Sequence, residues 1–281
     1  MQIEPNSIDA VILAGGVNEI PLYEGYKPGN KALVEFNGRP SIRYVHDALL
    51  RSKYVRDICV VGPREELRSA YHDDLPSFVS ATDNPLGSFL AGLSFFHDRP
   101  LVLVTSADLP LLSGPILARF VESCAAATTR FQDNLFIAIV PKQAFRGDFG
   151  LTTKGMSQFR DGTFCHGNIL LAEPSFLRNA RAVGRINAMY AARKSGIRSA
   201  LALGLTVGLA YVIGVHYLRL LTIQQMALLA SRRFRVGIVP VPIPHPEVAI
   251  DVDEPGEYRL ITELLSRRQE KGRRPEAPRP F

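Results

Sequence analysis

The stretch Val11–Pro40 reads VILAGGVNEIPLYEGYKPGNKALVEFNGRP. A short apolar run ends in Gly15 and Gly16, an irregular polar loop follows, and Lys31 opens a second apolar segment. A strand that stops at two glycines is a place where backbone amides can approach an anion, because residues without Cβ permit close contact and unusual dihedrals. Further strand-like runs recur along the chain as ICVVG, PLVLVTSADLP, LFIAIVPK, NILLAE and FRVGIVPVPI, each followed by turn residues or a helical pattern. That alternation predicts an α/β chain folded as a three-layer α/β/α sandwich around a mostly parallel sheet. After Gly38, Arg39 and Pro40, Ile42, Val45 and Leu49 fall on one stripe and predict the first crossover helix. A second helix is expected to open near Pro115.

The chain has 281 residues, 46% hydrophobic and 21% charged, enough apolar material for a globular core. Its net charge of +6 suits anionic partners. Part of that excess lies in 263–281, read as a flexible, basic, proline-containing tail, so nucleic acid is not implied. Residues 1–262 are expected to form one domain with a helical insertion at about 174–234. Cys59, Cys124 and Cys165 are odd in number and widely spaced, which argues against a disulfide framework and a zinc site. With no signal-peptide pattern at the N-terminus, a cytoplasmic location is expected. The segment 199–218 carries no Lys, Arg, Asp or Glu and matches the length of about 20 residues that crosses a bilayer. It is read first as a buried helix or a homodimer face, and second as peripheral membrane contact.

Three places carry chemistry. The Gly15–Gly16 turn fits neither GxGxxG nor GxxxxGK[ST], which weakens the dehydrogenase and P-loop readings. Asp108, in VLVTSADLPLL, stands at the end of a buried strand, where open α/β sheets bind ligands; capping the following turn is its alternative use. Asp251 and Asp253, in VAIDVDEPGEYRLI, share one face of an extended segment and can face one cation, with a helix N-cap as the alternative for Asp253. A glycine turn, a lysine and acidic strand ends in one sheet are the parts of an Mg²⁺ site for a triphosphate.

The ordered set VILAGG, NKALVEFNGRP, SADLP and DVDEPGEY resembles the MobA-like NTP transferases, nucleotidyltransferases with a GT-A-like fold. The resemblance implies that Leu13, Ala14, Gly15, Gly16 and Lys31 hold the NTP phosphates, that Asp108 and Asp253 bind Mg²⁺ with Asp251 beside them, and that Lys31 and Asp108 are catalytic. TDNPLGSFLAGL resembles the segment facing the base and implies Asn84, Leu86, Gly87 and Ser88 there. DGTFCHGNILLAEPSF resembles the acceptor-facing strand and implies Gly167 and Asn168, with a turn as the alternative use of Asn168; Lys154 is the further acceptor candidate. The implied reaction moves NMP from an NTP, GTP or CTP favoured, to a phosphorylated small molecule, as in molybdenum cofactor guanylyltransferase. VNEIPLYEGYKPGN replaces the family's usual arginine-bearing segment. A non-catalytic nucleotide-binding module and a GT-A glycosyltransferase using a sugar nucleotide are the alternatives.

Overall fold

The computed structural model describes residues 2–71, 75–150, 154–192 and 220–273. In chain order these form β1 (Ile8–Leu13), α1 (Ser41–Leu50), β2 (Val55–Val61), β3 (Ser77–Val79), α2 (Pro85–Phe95), β4 (Val102–Ser106), α3 (Gly114–Ala126), β5 (Asn134–Pro141), β6 (Met156–Phe159), β7 (Gly162–Ala172), α4 (Ala180–Ala192), α5 (Ile223–Phe234), β8 (Gly237–Pro242) and α6 (Pro255–Arg273), with short ladders and 3₁₀ turns between them. The sheet order is β8-β5-β7-β4-β1-β2-β3, with β6 paired to β7. β4, β1, β2 and β3 run parallel, as do β8 and β5, while β7 lies antiparallel to both β4 and β5. The sheet is therefore mixed and mostly parallel, as the alternating pattern predicts.

Side-chain alternation along the central strands sorts the core onto two faces. Ala10, Ile12, Ile58, Val60 and Leu103 turn toward α1 and α3, where they meet Ile42, Val45, Leu49, Leu117 and Phe120. Val11, Cys59, Val61, Val102 and Val104 turn the other way, onto Leu93 of α2 and Ala182 of α4. β1 is buried along its length because strands flank it on both edges and helices cover both faces. β8, by contrast, ends the sheet and tolerates Pro240 and Pro242 for that reason.

A third apolar cluster lies away from these two. It joins Leu22, Val34 and Phe36 from the long first loop, Leu111 from the turn after β4, and Ile250, Val252, Ile261 and Leu265 from the C-terminal part. Just before α1, Glu35–Phe36 pairs with Arg39–Pro40 across a two-residue turn, with Asn37 and Gly38 both at positive φ.

Two differences from expectation concern the C-terminal part. Residues 250–253 form no strand; they are an irregular segment between a 3₁₀ turn and α6. α6 also continues to Arg273, into the segment read as a tail. It is held there by Leu265 in the third cluster, by Arg267 on Asp148 at 3.0 Å and by Arg268 donating to the Leu111 carbonyl at 2.7 Å. Among the described residues no helix is long and apolar enough to cross a membrane; the apolar segment 199–218 lies outside them, as does the middle of the expected insertion.

α2 crosses the sheet at Gly92, where an added Cβ would stand 2.6 Å from Val11 Cγ1 and 2.9 Å from Val61 Cγ2. Overpacking of this kind costs about 1–3 kcal/mol, against a helix-propensity gain of about 1 kcal/mol. Gly92→Ala is expected to lower unfolding stability by about 1 kcal/mol or more in a urea titration, with an unchanged m-value.

Candidate functional site

The site is assembled at the carboxyl ends of β1 and β4. Beyond β1, Ala14 N donates to Val61 O at 2.8 Å and Ala107 N donates to Leu13 O at 3.0 Å, so the neighbouring strands carry the glycine turn at a fixed height. Gly15 lies close under Ala81: an added Cβ would come to 3.0 Å of the Ala81 Cβ. The loop that follows returns to its own start. Val17–Asn18 pairs with Gly29–Asn30, Lys31 N donates to Gly16 O at 2.9 Å, and Asn30 donates to Ala14 O at 3.0 Å while its Oδ1 accepts from Ala32 N at 2.9 Å. Asn30 thus fastens Lys31 beside the glycine turn across the long loop that separates them.

Asp108 follows β4 by two residues and is 6% exposed. Ser106 Oγ donates to its Oδ1, and Ser41 Oγ at the start of α1 donates to the preceding carbonyl, Ala107 O, at 2.9 Å. On the C-terminal side, Ile250 and Val252 are anchored in the third apolar cluster, which leaves Asp251 and Asp253 facing the other way. The alternation expected of a strand survives here without a ladder. Asp108, Asp251 and Asp253 each offer an oxygen within 4.8 Å of the others.

Two ammonium groups stand among these carboxylates. Lys31 is hydrogen-bonded to Asp253 and lies 4.0 Å from Asp108. Lys154 is hydrogen-bonded to Asp251, lies 2.5 Å from Glu257 and 3.9 Å from Asp253. The other oxygen of Glu257 accepts from Asp253 N at 2.8 Å and Glu254 N at 3.1 Å, closing the first turn of α6. Four carboxylates facing two lysines leave negative charge for a cation to neutralise, and an all-oxygen donor set suits a hard divalent ion such as Mg²⁺.

Electrostatics follow from this crowding. Burial, with Asp251 and Asp253 nearby, pushes the Asp108 carboxyl up from 3.8 to about 6, against the Ser106 hydrogen bond and the field of Lys31. Burial works against the charge of Lys31, but its hydrogen bond to Asp253 and the fields of Asp108, Asp253 and Asp251 outweigh it and raise its pKa. Lys154 is raised in the same way by Asp251 and Glu257.

The remaining expected residues lie around the same edge. Asn84 caps α2, its Oδ1 accepting from Gly87 N at 2.9 Å, and Ser88 Oγ accepts from Thr82 N at 3.0 Å; Leu86 is half-buried between them. Because Ala81 touches Gly15, this segment borders the glycine turn. β7 pairs Ile169 with Thr105, and its register shifts between His166 and Leu170. Continuing the pairing with β4 puts Asn168 level with Ser106. Gly167 has no room for a side chain there, since a Cβ would stand 2.9 Å from Ala138 Cβ. None of these residues bonds to the Lys31–Asp108–Asp253 group in the described structure. Asn30, Ser106 and Glu257 escape the sequence reading, since each acts through a backbone contact or a short local bond that spacing does not reveal.

A glycine turn beside Lys31 and a carboxylate cluster, at the carboxyl ends of parallel strands in an α/β sheet, is the arrangement of a nucleotide-handling class of protein. The MobA-like NTP transferase domain model matches residues 10–206, and the chain belongs to that family. A structure described as a hypothetical transferase from Thermus thermophilus is 29% identical, covering 89% of this chain and 99% of that one, with a TM-score of 0.72. A probable molybdenum cofactor guanylyltransferase of Thermococcus sibiricus is 26% identical over 133 residues, which span 47% of this chain and 60% of that relative's length. The 4-diphosphocytidyl-2C-methyl-D-erythritol synthase of Anaerococcus prevotii, 12% identical with a TM-score of 0.54 and coverage of 92% and 96%, shares the fold. The matched family region ends before Asp251, so the acidic pair joins the site through the three-dimensional structure.

The raised Asp108 carboxyl has a thermodynamic consequence in the metal-free protein. The folded state keeps a proton that the unfolded chain releases, so stability is lost as pH rises from about 4 to about 6 and stays level above. At about 1.4 kcal/mol per pKa unit the effect is on the order of 3 kcal/mol. Asp108→Asn removes that slope. Relative to wild type in chelator, the variant is expected to gain about 2 kcal/mol between pH 4 and pH 7 in denaturant titrations; a flat difference contradicts the buried anion.

Proposed function

We propose that this protein transfers a nucleoside monophosphate from an NTP, GTP or CTP in preference, to a phosphate-bearing small-molecule acceptor with release of pyrophosphate, in an Mg²⁺-dependent reaction. The observation that carries the reading is the convergence of Lys31, Asp108 and Asp253, which are far apart in sequence, beside the Gly15–Gly16 turn. Membership of an NTP transferase family supports it, and the likeness to a probable molybdenum cofactor guanylyltransferase supports guanylyl transfer in particular.

In this reading the backbone from Leu13 to Gly16 and the Lys31 ammonium hold the triphosphate, and the edge formed by Asn84, Leu86, Gly87 and Ser88 faces the base. Asp108, Asp251 and Asp253 hold the metal, which supplies positive charge to the triphosphate oxygens. Gly167 and Asn168 face the acceptor. Lys31 leaves Asp253 for the departing pyrophosphate, a short swing because both groups line one site. The acceptor needs no general base: a phosphate monoester, with a second pKa of about 6, is already an anion at neutral pH. Positioning two anions and neutralising their charge is then the principal task of the chain.

Pyrophosphate release measured with four NTPs, Mg²⁺ and a panel of phosphorylated acceptors tests this. Removing one pre-aimed donor typically costs a factor of about 10² to 10³, and Lys31→Ala and Asp108→Ala are each expected to slow release at least that much. Wild-type rates in both variants, or nucleotide binding without release across the whole panel, overturn the reading.

A further inference from the structure

The two lysines of the site differ in how they are held. Lys31 shares Asp253, the most exposed carboxylate of the group, and touches Asp108 only at 4.0 Å. Lys154 is held from several sides. Its side chain is 14% exposed, and its Nζ meets the Asp251 carboxylate, Glu257 Oε1 at 2.5 Å, the Asp251 carbonyl at 3.4 Å and Asp253 Oδ2 at 3.9 Å. Glu257 is itself fixed by the backbone amides of Asp253 and Glu254. An ammonium has three donors and no acceptor, and here it faces oxygens only, from three carboxylates and one carbonyl. Such a set of ligands is what a divalent cation takes.

Four carboxylates in one site are enough oxygen donors for two divalent ions, the arrangement by which two-metal sites clamp phosphates. Asp253 sits between two half-sites: Asp108 on the Lys31 side, and Asp251 with Glu257 on the Lys154 side. We infer that Lys154 is a built-in cation standing in the second of these half-sites, so that the acidic group admits one divalent ion, on the Asp108 side, and Asp251 is held in position for it. This rests on the metal-dependent reading above and deepens it. Lys154 acts through Asp251 and Asp253 and is a positioning residue. Its tether explains the division of labour with Lys31: one ammonium, held from several sides, stays as a structural counter-charge, and the other, bonded to the single most exposed carboxylate, is left to reach a phosphate.

The test counts ions and needs no turnover. Mn²⁺ is titrated into the full chain without nucleotide, with free Mn²⁺ read by electron paramagnetic resonance, for wild type, Lys154→Arg and Lys154→Met. One Mn²⁺ per chain is expected for wild type and Lys154→Arg, and two for Lys154→Met, which removes the charge and keeps the length. Lys154→Met is also expected to melt below wild type in chelator, because Asp251 and Glu257 are left facing each other, and to recover most of that loss at saturating Mn²⁺ as the ion takes the vacated place. Two Mn²⁺ on wild type, one on Lys154→Met, or a Lys154→Met chain that stays unfolded at saturating Mn²⁺ each overturn the inference while leaving the metal-dependent reading in place. Wild type that takes up no Mn²⁺ overturns both.

Discussion

The site depends on a patch of apolar contacts beneath it. Leu22, Val34 and Phe36 from the first loop, Leu111 from the turn after β4, and Ile250, Val252 and Ile261 from the C-terminal part meet in one cluster. Burying such side chains contributes about 1.5–3 kcal/mol each, and the contact obliges three distant segments to arrive together. Their neighbours in sequence, Lys31, Asp108, Asp251 and Asp253, are then brought together whether or not they attract one another. Burying a carboxyl and bringing others beside it are both unfavourable, and together, burial first, they raise the Asp108 carboxyl. Two lysines offset part of the repulsion and the apolar cluster supplies the rest of the restraint. The residual negative charge is what makes the place receptive to a cation.

Much of this was legible from residues alone. The strand runs, the Ile42–Val45–Leu49 stripe and the helix near Pro115 follow from periodicity, and each corresponds to an element of the structure. The order of the motifs groups Lys31, Asp108 and Asp253, and the structure brings their charged groups together. Short strands were not legible: Ser77–Val79 and Met156–Phe159 are strands only because a neighbour offers a ladder. Residues 250–253 alternate like a strand but pair with none, because burial of Ile250 and Val252 imposes the same periodicity as a sheet would. α6 runs past 262, the expected end of the domain, because Ile261, Leu264 and Leu265 recur at helical spacing and pack, while the charged residues around them read as a tail. Asn30 works through bonds to backbone atoms, and Glu257 through backbone amides and an ion pair with Lys154 from a distant segment, none of which a spacing rule announces.

The loop from Val17 to Asn30 is where the resemblance places an arginine-bearing segment, and it contains no arginine. In its place stands an aromatic arrangement: Tyr23 packs on Tyr258 of α6 with centroids 4.8 Å apart and on Tyr26 at 5.2 Å, and Phe36 lies 5.1 Å from Tyr258. The loop is thereby braced against the helix that follows the acidic pair. Positive charge beside the glycine turn comes from Lys31, and Lys154 stands against the acidic segment.

That Asp251 and Asp253 come late in the chain has a consequence during synthesis. The sheet strands that carry the glycine turn and Asp108 leave the ribosome long before the segment that finishes the acidic group. Until Ile250 and Val252 dock, Lys31 has no Asp253 to rest on and Asp108 has neither Asp251 nor Asp253 beside it. A nascent chain can therefore form the strands of its scaffold while its charged centre is still unmade, and the arrival of the acidic segment sets the moment at which the carboxylate group is complete.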